Sequence, residues 1–364
     1  MSTERKIVID FGKIKSPYTS AYERAVDVAL RDLDRPTVLQ ALRTHRYGGT
    51  SSDLDLASDW LSRHRGWSFD PKRLIMSHGT LNTVDMLLSY LVGPGGTLFV
   101  EELTFHHVPW LADRLGIKVI PLSMDHEGIR PDELDEACKA TTGRKALFCV
   151  PVAQNPTCAT MGEKRRQAIG RISEHHGLHI IEDDAQALVV DSPRAPLAAF
   201  SGLTWWVMGL SKCIATGLRI AYIAAPNETA AQDFLAKSLL QSTWYASPLS
   251  AELFGHWLRS GDADLILAEV REEAKWRSAA ARSALNGTKA VNAPGALHIW
   301  VPGEEDETQP LVDHLTTEGV SARPAKEFAA RTSHNVIGAR LSLTNETKGG
   351  LDKGLSILRS ALVR

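Results

Sequence analysis

The sequence predicts an α/β fold, a mostly parallel sheet with helices on both faces, followed by a smaller C-terminal α/β domain. Two patterns predict it. Short apolar runs recur through the middle two thirds of the chain, bounded by charged or turn residues, as strands covered on both faces require. Longer amphipathic stretches of helical period separate several of them. The expected strands are TLFVEE (97–102), KVIPLS (118–123), KALFCVPV (145–152), HIIEDDA (179–185), WWVMGLS (205–211) and RIAYIAAP (219–226). In EKRRQAIGRISEHHG, Ala168, Ile169 and Ile172 share one side of a helix and Gly177 is its natural stop. In SHGTLNTVDMLLSYLV, Leu81, Val84, Leu87, Leu88 and Leu91 form a second helical stripe. A long helical pattern from Ala251 to Leu285 leads into ALHIWVPG and the second unit. The expected division is 1–35 as a segment packing on the small domain, 36–250 as the large domain and 251–364 as the small one.

Composition narrows the function. The chain has 364 residues, 43% of them hydrophobic, enough for a large core. Its formal net charge of −2 comes without any block of like charges, so nucleic acid and anionic membranes are not expected partners. The N-terminus lacks a signal-peptide pattern and no apolar run approaches the roughly 18 residues of a membrane span, which points to the cytoplasm. Cys138, Cys149, Cys158 and Cys213 form no CxxC pair, so neither a metal site nor a disulfide framework is expected. Neither a GxGxxG nor a GxxxxGK loop follows the first strand.

Ligands of such sheets gather beyond the carboxyl ends of the strands. The polar residues that close the apolar runs are therefore the candidates: Asn155 in QNP, the acids Glu182, Asp183 and Asp184, and the pair Ser211 and Lys212. Gly79 and Thr80 open the 81–91 helix, where free N–H groups and a hydroxyl suit a phosphate.

Gly79-Thr80, VEELTF with Phe105, QNPT with Asn155, IIEDDA with Asp183, SK with Lys212, GLR with Arg219 and ARLSLTN with Arg340 occur in one order. That series resembles the fold-type-I pyridoxal-phosphate (PLP) aminotransferases of class I/II, and the aminotransferase-like domain of MocR-type regulators, from about Tyr47 to the C-terminus. The resemblance implies a large domain built on a seven-stranded sheet, PLP as cofactor, and an amino-acid/2-oxo-acid substrate pair. Lys212 would form a Schiff base with the cofactor aldehyde and shuttle the proton. Asp183 would keep the pyridine nitrogen protonated and the ring an electron sink. Arg219, Gly79, Thr80 and Ser211 would hold the phosphate, Asn155 would donate to the phenolic oxygen, and Phe105 would stack on the ring. Arg340, with Asn155 and Gly12, would bind the substrate's α-carboxylate. Tyr47 resembles a tyrosine that reaches a neighbour's phosphate, which implies a homodimer.

The sequence also departs from the family. Gln186 stands where a tyrosine is usual; its amide is expected to donate to the phenolic oxygen without being ionisable. Gly209 stands where a phosphate-binding hydroxyl is usual, a loss that Ser211 could offset. Cys158 replaces the glycine of NPTG, and Thr216 a proline. These changes surround the cofactor, so the alternative to transamination is another PLP reaction at an amino acid: elimination, cyclisation, decarboxylation or oxidation. A DNA-binding regulator is disfavoured by too few residues before the match for a winged helix. Lys13 and Lys15 could favour acidic side chains, and Trp244 and Tyr245 could line the entrance.

Overall fold

The structure is a computed structural model describing residues 9–190, 195–241, 245–303, 305–330 and 338–363. It begins with β1 (Ile9–Asp10), α1 (Ser20–Asp32), α2 (Arg35–Ala41) and α3 (Ser51–Arg65). Then come β2 (Leu74–Ser77), α4 (Gly79–Leu91), β3 (Thr97–Glu101), α5 (His107–Arg114) and β4 (Lys118–Leu122). The short pair β5 (Met124–Asp125) and β6 (Gly128–Ile129) precedes α6 (Pro131–Lys139), β7 (Lys145–Cys149), α7 (Glu163–His176), β8 (His179–Asp183), β9 (Thr204–Gly209) and β10 (Ala221–Ala224). Helices α8 (Glu228–Gln241), α9 (Pro248–Ser260) and α10 (Asp262–Ala284) lead to β11 (His298–Pro302), α11 (Glu305–Thr317), β12 (Val320–Ser321), β13 (Arg323–Pro324), β14 (Gly338–Ser342) and α12 (Lys348–Leu362).

Seven strands form one sheet in the order β2-β10-β9-β8-β7-β3-β4. It is parallel except for β10, which runs antiparallel to both neighbours. All six expected strands occur, and β2 is the addition: four residues, too short to show a period, pair at the edge with β10. Alternation along each strand sends successive side chains to opposite faces. Ile181 joins Phe148 and Val207 beneath α4, while Ile180 joins Leu147 and Cys149 against α6 and α7.

The smaller unit is built on the sheet β11-β14-β13, with α12 and the strand pair β1/β12 around it. The change of core falls later than the expected residue 250. Phe254, Trp257, Ile266 and Val270 of α9 and α10 pack with Met76, Trp206 and Met208 of the large sheet, whereas Ala281 and Leu285 join the small-domain core. One 23-residue helix thus serves both cores, which the unbroken helical pattern conceals. The first 35 residues divide in the same way. Ile9 and Phe11 pack in the small domain, but Ala21, Ala25 and Ala29 of α1 pack on α9 and α10, where Trp257 Nε1 donates to the Ala25 carbonyl at 3.0 Å. Among the described residues no helix is long and apolar enough to cross a membrane.

Candidate active site

The chain steps from β3 outward to β4, then returns past β3 to β7, β8 and β9. This reversal opens a crevice beyond the carboxyl ends of β3 and β7, the position at which open α/β sheets bind ligands. A cavity of about 460 Å³ lies there.

Lys212 enters it three residues after β9 ends. Its Nζ donates to the Ile14 carbonyl at 2.5 Å, so the N-terminal segment crosses the cavity mouth. Burial, reinforced by Arg340 and Arg219 and opposed by Asp183, brings its amine down to about 8. A lysine with this pKa is available as a neutral nucleophile and proton carrier near physiological pH.

Strand geometry separates the three consecutive acids. Glu182 accepts from the Leu197 and Ala198 amides at 2.8 and 3.0 Å and lies 3.5 Å from the Arg166 guanidinium. Asp184 pairs with Arg65 at 2.6 Å and accepts from Trp206 Nε1 at 2.8 Å. Arg65 ends α3, a helix whose start is fixed by a reciprocal Thr50–Asp53 capping box. Both acids serve the fold. Asp183 turns to the other face and lines the cavity, accepting from the Ala185 amide at 3.2 Å. Burial, with Asp184 nearby, raises its carboxyl to about 7, and Lys212 opposes the shift. A cation beside it would restore the carboxylate.

At the other end of the cavity α4 begins with Gly79 at φ +66°, a left-handed residue whose missing Cβ would lie 3.5 Å from the Arg219 guanidinium. Helix N–H groups and a guanidinium therefore converge on one point, a donor set suited to a phosphate. Gly209 changes meaning here. A Cβ at residue 209 would overlap Thr80 Oγ1, so a hydroxyl from α4 occupies the volume that a residue-209 side chain would need. Thr80 is thereby a better-placed replacement than Ser211, whose side chain lines the cavity beside it.

Asn155 lines the wall, its side-chain oxygen buried without a hydrogen-bond partner. Gln186 corrects the expectation from sequence. Although it borders the cavity, its Nε2 donates to the Ala153 carbonyl at 2.8 Å and approaches His298 Nδ1 at 3.4 Å, and its Oε1 accepts from the Leu297 amide at 3.1 Å. The amide thus joins the large sheet to β11 instead of donating into the cavity. His298 completes the link: Nε2 donates to the Gln154 carbonyl at 3.1 Å, which leaves Nδ1 as the acceptor. Cys158 keeps the backbone of the glycine it replaces, at φ +63°, while its thiol donates to the His298 carbonyl at 3.3 Å.

Burial, with Arg340 adding to it, lowers His298 to about 3. The folded state keeps it neutral while the unfolded chain protonates near pH 6.5, so its contribution to stability is complete above 6.5 and is lost as pH falls toward 3. His298→Gln is expected to flatten the acid limb of stability against pH. Denaturant titrations between pH 4 and 7 check this, and an unchanged limb would contradict it.

Arg340, buried on β14, donates through Nη2 to the Gly12 carbonyl, and its Nε has no partner. Burial, then the neighbouring Arg323, lowers it to about 9. Gly12 is held by Asp10, which accepts its amide at 2.9 Å. Phe105 lines the same cavity after β3, edge-on to His106. Tyr47 does not line it; it is part-exposed, stacks on His45 with centroids 5.1 Å apart, and meets Tyr245 edge to face. Tyr245 is buried with its hydroxyl 2.6 Å from Ser238, away from the entrance, and Trp244 lies outside the described residues.

The aminotransferase class I and II family matches residues 9–355, nearly the whole chain. The chain belongs to that family. Its cofactor is pyridoxal 5′-phosphate. The chain is similar to YdeF, described as an uncharacterised HTH-type transcriptional regulator of Bacillus subtilis, at 26% identity over 83% of this chain and 65% of that protein. It is also similar to aromatic-amino-acid aminotransferase 1 of Thermococcus litoralis, at 22% identity over 96% of this chain and 87% of that one. In fold it resembles the kynurenine aminotransferase of Pyrococcus horikoshii, with a TM-score of 0.84 at 18% identity, covering 99% of this chain and 92% of that one.

Four residues in or behind the cavity wall carry little or no mark in the sequence. Arg323 and Phe328 line the cavity from the small domain and His298 stands behind Gln186, and no motif marks any of the three. His106 directly follows Phe105, and the doubled histidine of TFHHV was the available hint.

Proposed function

We propose that this chain transfers the amino group of an L-amino acid to a 2-oxo acid, with Lys212 as the covalent anchor of PLP and the proton carrier. The observation that carries this reading is the convergence on one cavity of a lysine at about 8, a carboxyl at about 7, a glycine-and-arginine anion cradle and a buried arginine with a free Nε. These residues fit the cofactor. The Asn155 side chain, whose oxygen is buried without a partner, would supply a polar contact for the ring, Asp183 calls for a cation where the ring nitrogen would lie, and Gly79, Thr80 and Arg219 offer donors for the phosphate. When bound, the cofactor supplies an electron sink for the electrons left on the substrate's α-carbon.

The chain's own residues do the rest. Arg340 orients the substrate through its carboxylate, in place of the Gly12 carbonyl it now meets. Lys212 would be the base that takes the proton from the substrate's α-carbon, its lowered pKa leaving part of the amine neutral near physiological pH. Asp183 holds its proton-bearing partner in the charged form. Phe105, which lines the cavity, would pack against the ring. Tyr47, exposed and outside its own chain's cavity, is available to the phosphate of a second copy in a homodimer.

Thr80 offers a sharp check on the phosphate end. Gly209→Ser is expected to weaken PLP binding about tenfold or more, because the new Cβ displaces the Thr80 hydroxyl from a charged partner. Adding Thr80→Ala to Gly209→Ser should recover most of that loss, since the Thr80 Cβ would stand at an ordinary 3.6 Å. Titration of tryptophan fluorescence with PLP reads both, and equal affinities for wild type and Gly209→Ser would contradict the assignment.

The reaction type is tested by mixing the loaded protein with single amino acids and no 2-oxo acid. Transamination releases one equivalent of oxo acid per protomer and stops. Continued turnover, with release of ammonia or CO2 or uptake of O2, would instead establish a lyase, decarboxylase or oxidase reaction.

A further inference from the structure

The small-domain wall of the cavity carries a second arginine. Arg323 on β13 is the direct register partner of Arg340 on the antiparallel β14. Directly opposed residues share a face, and both side chains line the cavity. Like charges in such a pair repel, and the buried member has little solvent to screen it. From this geometry we infer that Arg323, assisted by His106, is a specificity residue that binds a second carboxylate, so that the preferred substrate pair is dicarboxylic. This rests on the proposed function and names its substrate class.

Three observations support it. Arg323 and His106 line the cavity together: Arg323 Nη1 donates to His106 Nε2 at 3.2 Å, so the His106 proton sits on Nδ1, which is buried without a partner. His106 is held neutral by burial first and by His107, Arg323 and Arg340 after it, which pull it down to about 3. Finally, the charge around the cavity is one-sided. Lys13, Lys15, Arg323 and Arg340 line it with Asp183 as the single carboxylate among the described lining residues, and Asp183 lies at the lysine end. Glu327 reaches Arg323 at 3.4 Å from an exposed position, so its neutralising effect is weakened by solvent. A substrate with an apolar side chain would pair Arg340 through its α-carboxylate and leave Arg323 with only the exposed Glu327, whereas an ω-carboxylate would pair Arg323 as well.

Binding of non-reacting acids to the PLP-loaded protein, followed by calorimetry and by the visible cofactor spectrum, tests the inference without turnover. Glutarate should bind wild type at least about tenfold more tightly than butyrate, ~1.4 kcal/mol. Arg323→Gln should remove most of that preference by weakening glutarate and leaving butyrate nearly unchanged, and Arg323→Lys should restore part of it. Equal affinity of wild type for the two acids overturns the inference, and this comparison needs no variant to fold. Equal weakening of both acids in Arg323→Gln also overturns it, since Arg323 would then act through Arg340 or the fold. Absence of a PLP band in wild type sinks the proposed function and the inference together; a normal band and half-reaction with equal affinities sinks the inference alone.

Discussion

Lys212→Ala is expected to abolish the visible absorbance of the PLP-loaded protein and to lower turnover by at least about 10³-fold. The size follows from two losses at one atom. The nucleophile that holds the cofactor disappears, and so does the base that moves the α-proton, each a contribution of several orders of magnitude in rate. Folding should survive, because Lys212 makes one hydrogen bond to the Ile14 carbonyl in a cavity and its removal takes away a buried amine. Steady-state kinetics and the absorbance spectrum check the expectation. Retained turnover within about tenfold of wild type would move the chemistry to another residue.

Asp183→Asn should produce opposite effects on activity and on stability. Without a carboxylate beside the ring nitrogen, the electron sink loses its proton, and kcat should fall about 10²- to 10⁴-fold. In the cofactor-free protein the same replacement is expected to stabilise. Burial holds the folded-state carboxyl at about 7, against the 3.8 of an ordinary aspartate, so the folded protein binds the proton more tightly and stability declines as pH rises through that window. Asparagine carries no charge to bury and still accepts from the Ala185 amide. Above pH 7 cofactor-free Asp183→Asn should therefore exceed wild type by on the order of a few kcal/mol. Denaturant unfolding at pH 8 reads that difference, and a destabilised variant would assign Asp183 a structural role like that of Glu182 or Asp184.

The large sheet was legible because its strands are covered on both faces and therefore appear as unbroken apolar runs. Lys212, Asp183 and Asn155 were legible for the same reason: each closes such a run, and the carboxyl end of a parallel sheet is where ligands bind. Which of three acids faces the cavity needed only the alternation of β8, once Arg65 and Arg166 were seen to hold the other two. Gln186 was misread because its partners, Ala153 and Leu297, are brought to it by tertiary packing that leaves no local signal. The same holds for Gly209, whose meaning depends on Thr80 packed against it from α4, and for Arg323, which is marked by its pairing with Arg340 and not by its neighbours in sequence. The division between the two cores leaves no mark in the sequence because α10 continues without a break from one core to the other.

The most direct measurement is borohydride reduction of the PLP-loaded protein followed by proteolysis and peptide mass mapping. One phosphopyridoxyl adduct per chain is expected, on the peptide containing Ser211, Lys212 and Cys213. An adduct on a different lysine, or none in protein saturated with PLP, would contradict the assignment of Lys212 as the covalent anchor.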